Sequence, residues 1–342
     1  CVNHVIAQSV NYLTALYTIA GSALYLRIMF MGMVPNMVYN VGSAILRAMG
    51  DSKRPLYFLI VACLSNVVLD LVFVLVFKMG IAGVAIASIL AQAISAVMVV
   101  MSLSAESMEY RFRFRQMRFE GDILSRTIRI GLPAGFQSIM YSLSNMLIQA
   151  SVNRFGTDTV ASWVVLGKVD GINWMILGAL GIASMTFVGQ NYGAGRLDRI
   201  QKSLKLSLLI GLCISIVFGG ALLLFGWPLF GLFTSDDTVL AMSMQLLWYF
   251  APFYWLFVPI EVISGALRGM GDTLIPTIIT ATGICVFRVA WIYTVVPLHN
   301  SMFTVSLSYP ISWVLTAIAF AIYYMIARKK LIANAPKPRT AE

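Results

Sequence analysis

The sequence predicts an all-α polytopic membrane protein, a two-lobe helical bundle assembled from parallel repeats. Three observations lead there. Of 342 residues, 59% are apolar and only 11% charged, and the mean hydropathy is +0.85, whereas an average soluble domain carries about 25% charged residues. Nine apolar runs are each long enough to cross a hydrocarbon layer about 30 Å thick, which takes about 20 helical residues. Finally, one motif occurs twice at a fixed offset.

The runs cover 22–48, 55–78, 81–103, 131–154, 159–187, 203–226, 239–267, 274–297 and 302–327, separated by short polar or Gly/Pro breaks. Residues 1–20 are apolar but interrupted by Asn3, His4, Gln8, Ser9 and Asn11, so they read as the tail of another helix or an interfacial piece. Strand alternation and barrel turns are absent. Only helices and closed barrels satisfy every backbone group in lipid, so each run is expected to be a helix.

Basic residues set the expected orientation. Nearly all of the 24 Lys and Arg fall in one set of alternating loops, leaving Lys78 and Arg154 in the opposite set and Arg27, Lys168 and Arg288 within or at the edge of spans. The rich side is expected to be cytoplasmic, with the C-terminus there, in a bacterial plasma (inner) membrane. The net charge of +10 then serves topology and attraction to lipid head groups. The stretch RFRFRQMRF, Arg111 to Phe119, interleaves aromatics with arginines, but between two spans it reads as interfacial anchoring, and nucleic acid is not an expected partner.

Segments LRAMGDSKRP from Leu46 and LRGMGDTLIP from Leu267 share Leu, Arg, Met, Gly, Asp and Pro at an offset of 221 residues. Six spans separate the copies, an even number, so the halves are parallel repeats of the transporter type. The counterpart of Gly131, which opens GLPAG, would fall about 90 residues before Cys1, room for the helices that would raise nine spans to about twelve. The expected organisation is therefore residues 1–104 as the remainder of an N-terminal lobe, 105–130 as a basic linker, 131–328 as a C-terminal lobe and 329–342 as a tail.

A charge in the bilayer costs several kcal/mol unless it is paired or hydrated, so intramembrane ionisable residues are the first functional candidates. Asp70 follows Asn66 by one helical turn, and the pair could hold a cation or a proton or simply clamp neighbouring helices. Asp170 is expected to face a central cavity with Trp174 one turn on, while Lys168 points elsewhere. Glu261 lies in FVPIEVISGALRG, seven residues after Tyr254, with Pro252 and Pro259 bending the helix in a way that suggests gating. Arg288 needs a counter-charge, for which Glu261 or Asp170 is the natural partner, with a purely structural ion pair as the alternative. After Pro133, Gln137, Ser138, Tyr141, Ser142, Asn145 and Gln149 gather on one broad helix face, the pattern of a wet cavity wall. The pairs Gly131/Gly135, Gly167/Gly171 and Gly265/Gly269 are expected to let helices approach closely. Coupling-cation candidates are thus Asp170, Glu261 and Asp70, and substrate-cavity candidates Gln137, Tyr141, Asn145, Lys168, Trp174, Tyr254 and Arg288.

Enzymatic signatures are missing: HExxH and GxSxG do not occur, and GQNYGAGR, Gly189 to Arg196, follows a hydrophobic helix and lacks the Lys-Ser/Thr of a phosphate loop. Cys63, Cys213 and Cys285 sit alone in apolar runs as buried hydrophobes. No metal site or tightly bound cofactor is expected.

Taken together, YLRI at Tyr25, LRAMGDSKRP, NVVLD at Asn66, GIAGVAIAS at Gly80, GLPAG at Gly131, FVGQNYGAG at Phe187 and LRGMGDTLIP resemble the multidrug and toxic compound extrusion family over essentially the whole chain. The resemblance implies a twelve-helix secondary transporter in two six-helix lobes, exporting cationic or amphipathic small molecules in exchange for H⁺ or Na⁺ by alternating access. By that match the chain begins near the end of the third helix. Some Na⁺-coupled relatives carry an acid on the seventh helix where this sequence has Gln137, Tyr141 and Asn145, so the coupling ion stays open. Lipid-linked precursor flippases and polysaccharide exporters share the plan, but Asp170 and Glu261 suit a cationic ligand better than a pyrophosphate. A membrane receptor or structural component fits poorly with a duplicated half. Membrane lipids and small-molecule substrates are the expected partners, and the protein is expected to be monomeric.

Overall fold

A computed structural model describes residues 21–105, 112, 113, 115 and 118–333. Among these every regular element is helical: α1 (Gly21–Met31), α2 (Met33–Ala48), α3 (Lys53–Leu71), α4 (Gly80–Ser104), α5 (Gly121–Val152), α6 (Thr157–Gly193), α7 (Leu197–Gly231), α8 (Asp237–Phe250), α9 (Phe257–Gly269), α10 (Leu274–Thr280), α11 (Phe287–Thr294) and α12 (Met302–Ala333). The chain divides into two compact units, Cys1–Arg118 and Phe119–Glu342. Seven described helices or joined helices are long and apolar enough to cross a membrane, and α1 with α2, bent by 46° at Gly32, makes an eighth. The ninth expected span, α5, is long enough at 32 residues, about 48 Å, but carries a polar face along much of its length. It also begins ten residues before the expected start. Asp122 and Arg129 in its first turns belong to water, so hydropathy reported only its apolar part.

Each unit ends a helix with the repeated motif, and the two copies fold alike. Gly50 and Gly271 take φ of +89° and +88°, a left-handed conformation that side chains resist. The amide of Asp51 reaches back to the Leu46 carbonyl at 2.9 Å, and that of Asp272 to the Leu267 carbonyl at 3.0 Å. This six-to-one bond is the helix-terminating Schellman turn. Leu46 and Leu267, one turn before the glycines, are both fully buried. The aspartates then diverge: Asp51 Oδ1 accepts from the Lys53 and Arg54 amides, starting α3, whereas Asp272 accepts the hydroxyl of Tyr323 on α12.

In the first unit α2 and α3 both pack on α4 around Leu46, Val99 and Leu103. A π-helical stretch, Val72–Val76, closes α3 just after Asp70. In the second unit the main core gathers residues of α6 to α9 and α12, including Leu177, Phe230, Leu247, Val258, Leu267, Trp313 and Phe320. Large apolar side chains elsewhere point outward, among them Met175, Val217 and Leu224, each more than two-thirds exposed. Such a surface is an aggregation hazard in water and ordinary against lipid.

The tightest helix pair is α6 against α9. A Cβ on Gly265 would collide with the Gly181 carbonyl oxygen, one on Gly269 would sit 2.5 Å from the Met185 carbonyl oxygen, and one on Gly181 would sit 2.7 Å from Glu261 Oε2. Gly189 completes the seam, where an added Cβ would sit 3.3 Å from the Gly269 carbonyl oxygen. Of the three expected close-packing pairs only Gly265/Gly269 serves this purpose, because Gly131, Gly135, Gly167 and Gly171 face open space. Gly265→Ala must push two backbones apart, so it is expected to cost about 1–3 kcal/mol and lower the melting temperature of the detergent-solubilised protein. Gly131→Ala, with room for its methyl, is expected to leave that temperature unchanged or slightly raised.

Candidate functional site: an aromatic cavity with two carboxylates

The seam delivers Glu261 to an open cavity of about 470 Å³ lined by residues of the second unit. Tyr141, Asn145, Ile148 and Gln149 of α5 form one wall, and Trp163, Asp170 and Trp174 of α6 another. Phe250, Phe257 and Glu261 come from α8 and α9, Arg288 from α11, and Tyr309 and Trp313 from α12. The rings pack edge to face: Trp174 meets Phe257 at 4.9 Å and Trp313 at 5.6 Å between centroids, and Phe250 meets Tyr309 at 5.1 Å. That geometry holds large flat surfaces in place without filling the space between them.

Two backbone irregularities aim the charges inward. Pro252 cannot donate to the helix ladder, and α8 gives way to a 3₁₀ segment, Ala251–Leu256, before α9 resumes. This segment buries Tyr254 completely and turns its hydroxyl onto Asp170, to which it donates a hydrogen bond. Of the two prolines expected to disturb this helix, Pro252 lies in the 3₁₀ segment and Pro259 lies inside regular α9. Between α10 and α11 a π-helical stretch, Ala281–Val286, rotates α11 relative to α10, and Arg288 comes in just beyond it.

The expected site residues separate into groups. Asp170, Glu261, Tyr141, Asn145, Trp174 and Arg288 line the one cavity. Three expected lining residues do not. Gln137 is buried and accepts from Arg268 Nη2 at 2.7 Å and Thr277 Oγ1 at 3.4 Å, so it fastens α5 to α9 and α10. Lys168 is exposed, two residues and roughly 200° around the helix from Asp170. Tyr254 stands behind Asp170, fully covered. Ser138 and Ser142, on the same expected stripe, turn back to helix carbonyls. Asp70 lies in the first unit with Oδ1 covered and unpartnered among the described residues, and Asn66 Nδ2 is in the same condition one turn earlier, so neither atom clamps a neighbouring described helix.

Arg288 departs from expectation most clearly. Neither Glu261 nor Asp170 forms an ion pair with it. Its guanidinium lies over the Tyr309 ring, 3.9 Å from the centroid, and its Nε donates to Ser312 Oγ at 3.0 Å. Of the three cysteines read as buried, Cys63 and Cys213 are exposed and Cys285 is buried. The GQNYGAGR segment ends α6 in a turn with Gly195 at φ +68°, as its glycines suggest. Among the described residues no cluster of His, Cys, Asp and Glu could hold a metal. Trp163, Phe250, Tyr309 and Trp313 were not singled out in the sequence. Only their convergence from three helices distinguishes them from the other aromatics, 41 in all.

A family profile described as MatE matches residues 2–72 and 133–294, more than half of the chain. The chain belongs to the MatE family. Members of MatE are transporters, which agrees with the absence of enzymatic signatures. A relative from Bacillus subtilis (strain 168), a probable multidrug resistance protein YoeA, is 28% identical over 326 residues, covering 90% of this chain and 68% of that protein. The FAD transporter of Shewanella oneidensis is 27% identical over 227 residues, covering 63% and 49%. The crystal structure of a MATE protein in the straight conformation superposes with a TM-score of 0.83 over 91% of this chain and 70% of that one at 20% identity, a likeness of fold.

Tyr254→Phe removes the donor that Asp170 faces and is expected to cost about 1–3 kcal/mol, read as a lower melting temperature. In Asp170→Asn the Tyr254 hydroxyl keeps an acceptor and the loss is expected to be smaller. The double variant is expected to be less destabilised than the sum of the two, which a double-mutant cycle measures.

Proposed function

We propose that this MatE protein is a secondary active multidrug exporter that moves cationic or amphipathic small molecules in exchange for H⁺ or Na⁺ by alternating access. The observation that carries the reading is the placement of two carboxylates, Asp170 and Glu261, on the wall of one aromatic cavity in a single lobe. Flat apolar cations gain from such walls through ring contact and cation–π attraction, and from the acids through charge.

Coupling arises from competition. A proton or Na⁺ at Glu261 or Asp170 neutralises the charge that the cationic substrate uses, so ion and substrate favour different states of the same cavity. Glu261 is well placed to transmit the change. Its carboxylate rests against Gly181 in the seam, so altering its charge bears on the packing of α6 and α9. Tyr254 links Asp170 to the 3₁₀ break, the part of the α8–α9 span with fewest regular helix bonds and the natural place for it to flex. In this reading the protein sits in the cytoplasmic membrane with its C-terminus inside, acts as a monomer, and uses the coupling ion in place of any bound cofactor.

Ethidium export from an efflux-deficient cell expressing the full coding sequence tests the proposal under imposed proton or sodium gradients. Wild-type export is expected to follow one of the gradients and to fall roughly tenfold or more in Glu261→Gln and in Asp170→Asn. Unimpaired export in both variants removes the coupling role of these carboxylates. Absence of export by the wild type brings forward a flippase of lipid-linked precursors.

A further inference from the structure

Buried arginines are ordinarily held by carboxylates, because an unpaired buried cation forfeits its hydration for nothing. Arg288 is 4% exposed, lines a cavity that contains two carboxylates, and pairs with neither. Its guanidinium is instead fixed in place by Tyr309 beneath it and Ser312 at Nε. The two terminal amino groups donate to no protein atom among the described residues. These are the groups that form the planar fork matching a carboxylate or phosphate. Glu261 is held on a different element, α9, by the glycine seam, so the cavity keeps a cation and an anion apart rather than letting them cancel.

We infer that Arg288 is an anion-recognising subsite of this cavity, and that the preferred substrates are amphoteric aromatic molecules: a flat ring system bearing a cationic nitrogen toward Glu261 and Asp170 and a carboxylate or phosphate toward Arg288. The inference rests on the efflux reading and sharpens its substrate class. Ring stacking on Tyr309 orients the guanidinium before a ligand arrives, which reduces the ordering cost of binding. A simple cation still meets the two carboxylates and the rings but leaves Arg288 unanswered, so it binds less tightly than a ligand that also carries the acid.

The test uses a matched dye pair, rhodamine 110 with a free benzoate and rhodamine 123, its methyl ester, titrated against the purified full-length protein in detergent by fluorescence anisotropy. The wild type is expected to bind the acid roughly tenfold more tightly than the ester. That preference is expected to shrink to about twofold or less in Arg288→Gln and to persist in Arg288→Lys. Should Arg288→Gln fail to fold, sodium benzoate added to the wild type gives the same information: it is expected to weaken binding of the acid and to leave the ester unaffected. Equal or tighter binding of the ester, a preference that survives Arg288→Gln, or indifference of the acid to benzoate overturns the subsite while leaving multidrug export standing. Binding of neither dye, together with no gradient-driven ethidium export, removes both.

Discussion

The close approach of α6 and α9 is the constraint on which the second unit depends. Glycines at 181, 189, 265 and 269 remove the side chains that would otherwise hold two helices about 8–10 Å apart, and backbone meets backbone. In lipid this matters more than in water. Apolar side chains gain little by leaving hydrocarbon for a protein core, so helices associate through close van der Waals contact and through polar groups that find one another. Here both operate along one line, since Ser184 of α6 donates to the Val262 carbonyl of α9 at 3.1 Å within the same seam.

The seam also explains how charge is tolerated. Glu261 is carried into the protein interior on the glycine-faced side of α9, where it touches backbone and the cavity. Asp170 is carried in on α6 and meets Tyr254 from the 3₁₀ break. Asp170 thus has a polar partner and Glu261 faces the cavity, neither in an ion pair, a state that a proton, a metal cation or a cationic ligand can change at modest cost. Had Arg288 closed onto either acid, the cavity would hold a neutral structural clamp. Its stacking on Tyr309 keeps that from happening.

The repeated motif shows how far local chemistry reaches. LRxMGD terminates a helix the same way in both units because it needs only a glycine able to adopt positive φ, a leucine to bury one turn earlier and the amide of the next residue. The continuation beyond the turn depends on neighbours. Asp51 caps its own next helix, and Asp272 finds Tyr323 on α12. One sequence element thus encodes a shared stop and two different continuations.

Helical class, the approximate limits of the apolar runs, the repeated motif and the place of Asp170 and Arg288 on a cavity wall were all legible in the order of residues. Each comes from a property that acts locally or along one helix: hydropathy against a layer of known thickness, the cost of a buried charge, a turn that only glycine accepts. Partners were not legible in the same way. Nothing in the chain announces that Gln137 turns to Arg268, that Tyr254 answers Asp170, or that Arg288 prefers a tyrosine face to a carboxylate. Those choices depend on helix rotation, which the 3₁₀ break and the π turn shift by a fraction of a turn. A residue's angular position after such a break is decided by what packs against it from distant parts of the chain.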